Sequence, residues 1–266
     1  MKNIVILGVS QSGIFELASL IQENANPQEG YKMLGGFFNV FGDRYEIHCE
    51  DSDAKKTLSS HQEGAFKKSF GLNSELEIEE FRDYGLKGMT TDSSKEEFAQ
   101  RLAILKEAKG NHIITLTTWE LGQIKKVAPE LLEEIESFLE SSHTVAIDLN
   151  DIKAAAASYV LATETGHWVR PKAEAPLSLN EKFTAKSDVL NQFSNEVKLL
   201  KSFIKKIPAS RVVTSLEVEK GSQATRKVIG TNAQRDAVFA KPRYERSAQS
   251  YISNPSDLER ISSSLA

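Results

Sequence analysis

The sequence predicts an α/β protein built on a central parallel sheet flanked by helices, with a C-terminal extension. Three observations predict it. Residues 3–7 form a short, mostly apolar run that stops at Gly8, and residues 144–147 form a second. Runs without polar alternation read as strands buried on both faces, the habit of parallel sheets. Each run leads through a turn into a segment with helical spacing, the strand–loop–helix order that parallel pairing requires. Residues 180–206 add a long amphipathic pattern, with Phe183, Leu190, Phe193, Val197, Leu200 and Ile204 at three- and four-residue intervals.

The first twenty residues organise the rest. After the strand comes Gly8-Val9-Ser10-Gln11-Ser12-Gly13, then apolar residues from Ile14 to Ile21 with helical spacing, so a helix starts near Ser12. Backbone N–H groups at a helix N-terminus lack internal partners and carry positive potential, so a phosphate is the first ligand to consider. The pattern is P-loop-like, but Ile14 stands where a nucleoside triphosphatase has its lysine. The bland alternative is a plain strand–turn–helix.

Asn26 to Gly30 reads as a turn, and residues 31–41 as an apolar stretch around Gly35-Gly36. Residues 51–92 are polar and broken by glycines, and are expected to form an insertion or lid. Asp92-Ser93-Ser94 suits a cap for a helix over residues 95–108. Residues 112–116 read as a strand and 125–139 as an acidic amphipathic helix. An alanine-rich helix is expected over residues 151–163, which places Ser158 two turns in, near the face of Asp151. Residues 211–216 read as the last core strand. Asn254-Pro255-Ser256-Asp257 opens a terminal helix, with proline suited to its first turn. The expected organisation is one α/β domain over residues 1–219 and a basic extension over 220–266.

At 266 residues the chain can bury a real core. Its single cysteine, Cys49, excludes an internal disulfide framework and fits a reducing compartment. No run approaches the roughly twenty apolar residues of a membrane span, and a secretory pattern is lacking at Met1. A soluble, cytoplasmic protein is expected. Net charge is −4, but residues 201–246 carry eleven Lys and Arg against four Asp and Glu. That asymmetry suggests an anionic or protein partner for the C-terminal extension, or a basic face that pairs with the acidic remainder. Without a zinc-finger or RNA-recognition motif, nucleic acid is a minor option. One cysteine and dispersed histidines offer no metal ligand set.

In order and spacing these segments resemble the P-loop sulfotransferases, which transfer a sulfuryl group from 3'-phosphoadenosine 5'-phosphosulfate to a hydroxyl or amine. The family's P-K-S-G-T-T motif aligns with Ser10-Gln11-Ser12-Gly13-Ile14-Phe15, and its R-N-x-K-D-x-x-x-S motif with residues 150–158. Residues 34–39 resemble a G-x-F-F-N element of compact viral and bacterial relatives. The likeness spans about residues 1–215. It implies donor binding by Ser10, Gln11, Ser12, Gly13 and Ile14 at the 5'-phosphate, and by Asn150 and Ser158 at the 3'-phosphate.

The departures matter as much. Gln11 stands where the family lysine stabilises charge on the leaving phosphate, and brings no charge. Ile14 replaces a threonine hydroxyl, and Asn150 replaces an arginine and its bidentate charged fork. Arg226, Lys227 or Arg235 could supply the missing charge from elsewhere in the chain. No base stands out: Thr117 and Thr118 cannot serve near neutral pH, and His112 is at the wrong end of its strand. His48, His61, His143 and His167 have no partner spacing. Two expectations follow. One is a sulfotransferase-like frame used as a non-catalytic binding or structural component, for instance of a phage particle, given the family's frequency in phage genomes. The other is an active sulfotransferase with a rearranged site. A nucleotide kinase is disfavoured by the missing lysine and serine of the loop.

Overall fold

The computed structural model describes residues 3–26, 28, 30–34, 38, 91–107, 111–168, 170–171, 175–237 and 239–265. The expected insertion or lid, Cys49, His48, His61 and the Gly35-Gly36 pair all lie outside the described residues.

Strand β1 (Ile4–Gly8) is buried along its whole length, as its unbroken apolar run requires. Strand β2 (Lys32–Leu34) follows helix α1 (Ile14–Asn24). Helix α2 (Thr91–Glu107) leads into β3 (His112–Thr117). After helix α3 (Thr118–Val127), a 3-10 turn at Pro129–Leu131 and helix α4 (Leu132–Ser141), strand β4 spans His143–Asp148. Helices α5 (Ile152–Thr165) and α6 (Ser187–Ile204) precede β6 (Val212–Thr214). The five strands form one sheet in the order β2-β3-β1-β4-β6. Every neighbouring pair in it is parallel, with Ile4 opposite both Ile113 and His143. This is a P-loop-like α/β fold.

The strand order fixes the layers. From β1 the chain crosses towards one edge to reach β2, and every later crossover runs the other way. Right-handed connections therefore put α1 on one face and α2 to α6 on the other. Helices α7 (Ser215–Lys220) and α8 (Ser222–Ile229) return to pack beside α1. The first connections leave β1 and β4 in opposite directions, so their C-terminal ends bound the crevice where open parallel sheets bind ligands.

Several expectations shift in the structure. The helix expected over 125–139 is two helices, because Pro129 offers no N–H and interrupts the ladder. Thr117 starts the first of them through a capping box, its hydroxyl accepting from Glu120 N while the Glu120 carboxylate accepts from Thr117 N. Helix α2 begins at Thr91, so Asp92, Ser93 and Ser94 are inside it rather than ahead of it. The 180–206 helix begins at Ser187 instead. Phe183 makes a bridge to Ile252, donating to nothing helical but to Tyr251 O at 2.7 Å. Residues 220–253, which lack visible periodicity, contain α8. The terminal helix α9 (Pro255–Leu265) starts at its proline as expected and packs on α5 and α6.

Strand β5 (Arg170–Pro171) pairs antiparallel with β7 (Phe239–Ala240) outside the main sheet. That small ribbon brings the C-terminal segment to the mouth of the loop after β1. Among the described residues, no helix is long and apolar enough to cross a membrane.

Candidate functional site

The loop between β1 and α1 turns tightly because its backbone is left-handed twice. Gly13 has φ 94°, and Gln11, at φ 71°, is the one non-glycine with positive φ among the described residues. For a residue with a Cβ that conformation costs roughly 1–2 kcal/mol, so surrounding contacts must hold it. Gln11 Nε2 donates to Trp168 O at 2.8 Å, and Ser12 N donates to Val9 O at 3.0 Å. Gly8 is required for close approach, since a Cβ there would lie 2.4 Å from Ser12 Oγ.

At the base of this loop sits a carboxylate from α6. Glu196, 4% exposed, accepts at Oε2 from Ser10 N (3.2 Å) and Ser10 Oγ (3.1 Å). Its Oε1 accepts from Tyr159 Oη at 2.6 Å. Tyr159 in turn packs edge-on against Trp168 and Phe193. A buried carboxylate needs such donors to stay in the core. The loop therefore spends donors on an internal anion.

Beside it is a small pocket at the C-terminal ends of β1 and β3. Ser10, Gln11 and Gly13 form its floor, with Phe15 at its side. Thr117, Trp168 and Lys241 close it. Its cavity volume is about 10 Å³, the room of one water-sized group. Lys241 Nζ is 2.5 Å from Glu219 Oε1. Thr117 belongs to the capping box, and its hydroxyl donates to Glu120 Oε2 at 2.9 Å. Burial pushes the Glu120 carboxyl up to about 7, against the lowering effects of the Thr117 bonds, the Arg101 charge and the Phe38 backbone N–H.

The residues aligned with a donor site are placed as follows. Ser10, Gln11, Ser12, Gly13 and Ile14 share the loop and helix start, all buried or glycine. Asn150, in the β4–α5 loop, is exposed and turned to α7: its Oδ1 accepts from Leu216 N at 2.9 Å and Ser215 Oγ at 3.4 Å. It works as a clasp between two loops. Ser158 is half-buried on α5, and Lys153 pairs with Glu259 of α9 at 2.7 Å. Of the three basic residues considered as replacements, Lys227 pairs with Glu217 at 2.7 Å and Arg235 with Glu23 at 3.8 Å. The basic residue that reaches the pocket is Lys241.

Sequence reasoning passed over Glu196, Glu120, Trp168 and Lys241. Only Glu120 had a local signal, the Thr-x-x-Glu spacing from Thr117. Glu196 lies on the buried stripe of α6 between Phe193 and Val197, where a charge looks like a surface interruption. His112, buried at the N-terminal end of β3 with Nδ1 3.3 Å from Asn3 Oδ1, is remote from these loops. Among the described residues, no group of three His, Cys, Asp or Glu could hold a metal ion.

The fold and the loop define an α/β protein with a P-loop-like strand–loop–helix at its ligand-binding edge. Neither a protein-family model nor a curated protein matches the chain.

Proposed function

We propose that the protein is a sulfotransferase-like frame that works as a non-catalytic binding or structural component of an assembly, such as a phage particle. The observation that carries this reading is the Glu196 carboxylate at the base of the loop, holding the Ser10 N–H and hydroxyl. A carboxylate in that position repels a phosphate or sulfuryl group and takes up donors that would meet it. Two further facts support the reading. Gln11, at the family's lysine position, is tied to Trp168 O, and Asn150, at its arginine position, clasps α7.

The test is calorimetric titration of the folded protein with adenosine 3',5'-bisphosphate, the family's desulfated product. The expected result is no detectable heat at millimolar ligand. Saturable one-site binding, weakened by Ser158→Ala, would overturn the reading. It would favour the active sulfotransferase, for which Lys241 at the pocket is the supporting observation.

A further inference from the structure

The pocket beside Gln11 has an unusual hydrogen-bonding character. Gln11 is 8% exposed, and its Oε1 is buried without a partner, because the Trp168 carbonyl fixes the amide with Nε2 pointing away. Buried acceptors are almost always satisfied, so an orphan facing a pocket asks for a donor. The two hydroxyls that line the same pocket cannot supply one. Ser10 Oγ donates to Glu196, and Thr117 Oγ1 donates to Glu120. Both hydroxyl protons are committed to buried carboxylates, which leaves oxygen lone pairs towards the cavity. Lys241 reaches the rim, but its ammonium is paired with Glu219.

We infer that this pocket binds the primary ammonium head of a small ligand rather than an anion. The inference rests on the reading that the loop no longer holds a phosphate. A cavity of about 10 Å³ takes a water-sized group, and an –NH₃⁺ head is of that size with three donors and no acceptor. Phe15 and Trp168 flank the opening, so an aliphatic stem packs on apolar surface while the ring faces favour the cation. The first-turn Glu16 of α1, 5% exposed, adds negative charge near Gly13, where a bare helix start would attract anions.

The test titrates the full chain with n-butylammonium chloride and, separately, with sodium phosphate and sodium sulfate at matched ionic strength. Tryptophan emission and calorimetric heat report binding. The sign of the Lys241→Gln effect decides between ligand classes, and its side chain is partly exposed, so folding is preserved. Saturable n-butylammonium binding that tightens on the order of threefold in Lys241→Gln, and is lost in a folded Gln11→Leu variant, is the expected result. Phosphate or sulfate binding that weakens in Lys241→Gln overturns the inference. So does an absence of binding by all three probes, in which case a water satisfies Gln11. Failure here leaves the non-catalytic reading intact, because that reading falls only to bisphosphate binding.

Discussion

Ser10 and Glu196, 186 positions apart in the chain, meet through two hydrogen bonds to one carboxylate oxygen, at 3.2 Å and 3.1 Å. The bond ties the β1–α1 loop to α6 on the opposite face of the sheet. Its second oxygen holds Tyr159 at 2.6 Å, so one side chain links three elements in the core. Removing it strands the Ser10 N–H and two hydroxyls. Glu196→Ala is therefore expected to destabilise the fold by about 3–5 kcal/mol, at roughly 1–3 kcal/mol per stranded group with partial relaxation. Glu196→Gln keeps an acceptor and should cost about 1–2 kcal/mol. Urea unfolding of both variants measures this, and equal, near-zero effects would mean that the network contributes nothing.

The tight approach of Gly8 to Ser12 gives a prediction about coupling. A methyl group at Gly8 would lie 2.4 Å from Ser12 Oγ and 3.1 Å from Ile14 Cγ1. Gly8→Ala should cost about 2 kcal/mol through overpacking. In the Ser12→Ala background the first clash disappears, so the penalty should fall by at least about 1 kcal/mol, a coupling energy typical of touching residues. Additive effects in the four-variant cycle would show that the loop relaxes without regard to Ser12.

Much of the fold was legible because it follows from periodicity and burial. Residues 3–7 and 144–147 announce doubly buried strands, and both are centre strands of the sheet. Helix boundaries were less legible where tertiary contacts override spacing. Phe183 continues the apolar stripe of α6 in sequence, yet the 175–185 segment instead runs beside 240–254, with Phe183 bridged to Ile252. Of the candidate site, the loop residues could be read from Gly8 and Gly13. The groups that give it its chemistry could not, because Glu196, Trp168 and Lys241 arrive from distant segments without a local pattern. Charge told a partial story too. The basic surplus of residues 201–246 is met in part by the acidic remainder, with Lys206 on Glu136 and Arg235 on Glu23.

Asn150 is expected to be structural. Its Oδ1 takes Leu216 N in the first turn of α7 and Ser215 Oγ beside it. Asn150→Ala should lower stability by about 1 kcal/mol, the usual cost of a lost helix-start acceptor at an exposed site. A chemical denaturation midpoint unchanged within error would remove the clasp from the account.

The capping box at the start of α3 makes stability depend on pH in a direction opposite to that of most acidic residues. Glu120 is fully buried, and its carboxyl is raised from 4.5 to about 7, first by desolvation, which outweighs the Thr117 bonds and the charge of Arg101. The folded state then holds a proton that the unfolded state has released between these two values. The contribution is complete below pH 4.5 and is lost as pH rises through about 7. A shift of this size corresponds to about 3 kcal/mol. Glu120→Gln cannot ionise but can still fill its place in the box, since glutamine serves there as well as glutamate. The variant should therefore gain on the wild type by about 2–3 kcal/mol between pH 5 and pH 8. Urea unfolding of both proteins at the two pH values measures the difference. A constant gap would show that Glu120 titrates alike in the folded and unfolded chain, and that the core around Thr117 and Arg101 stabilises its charge fully.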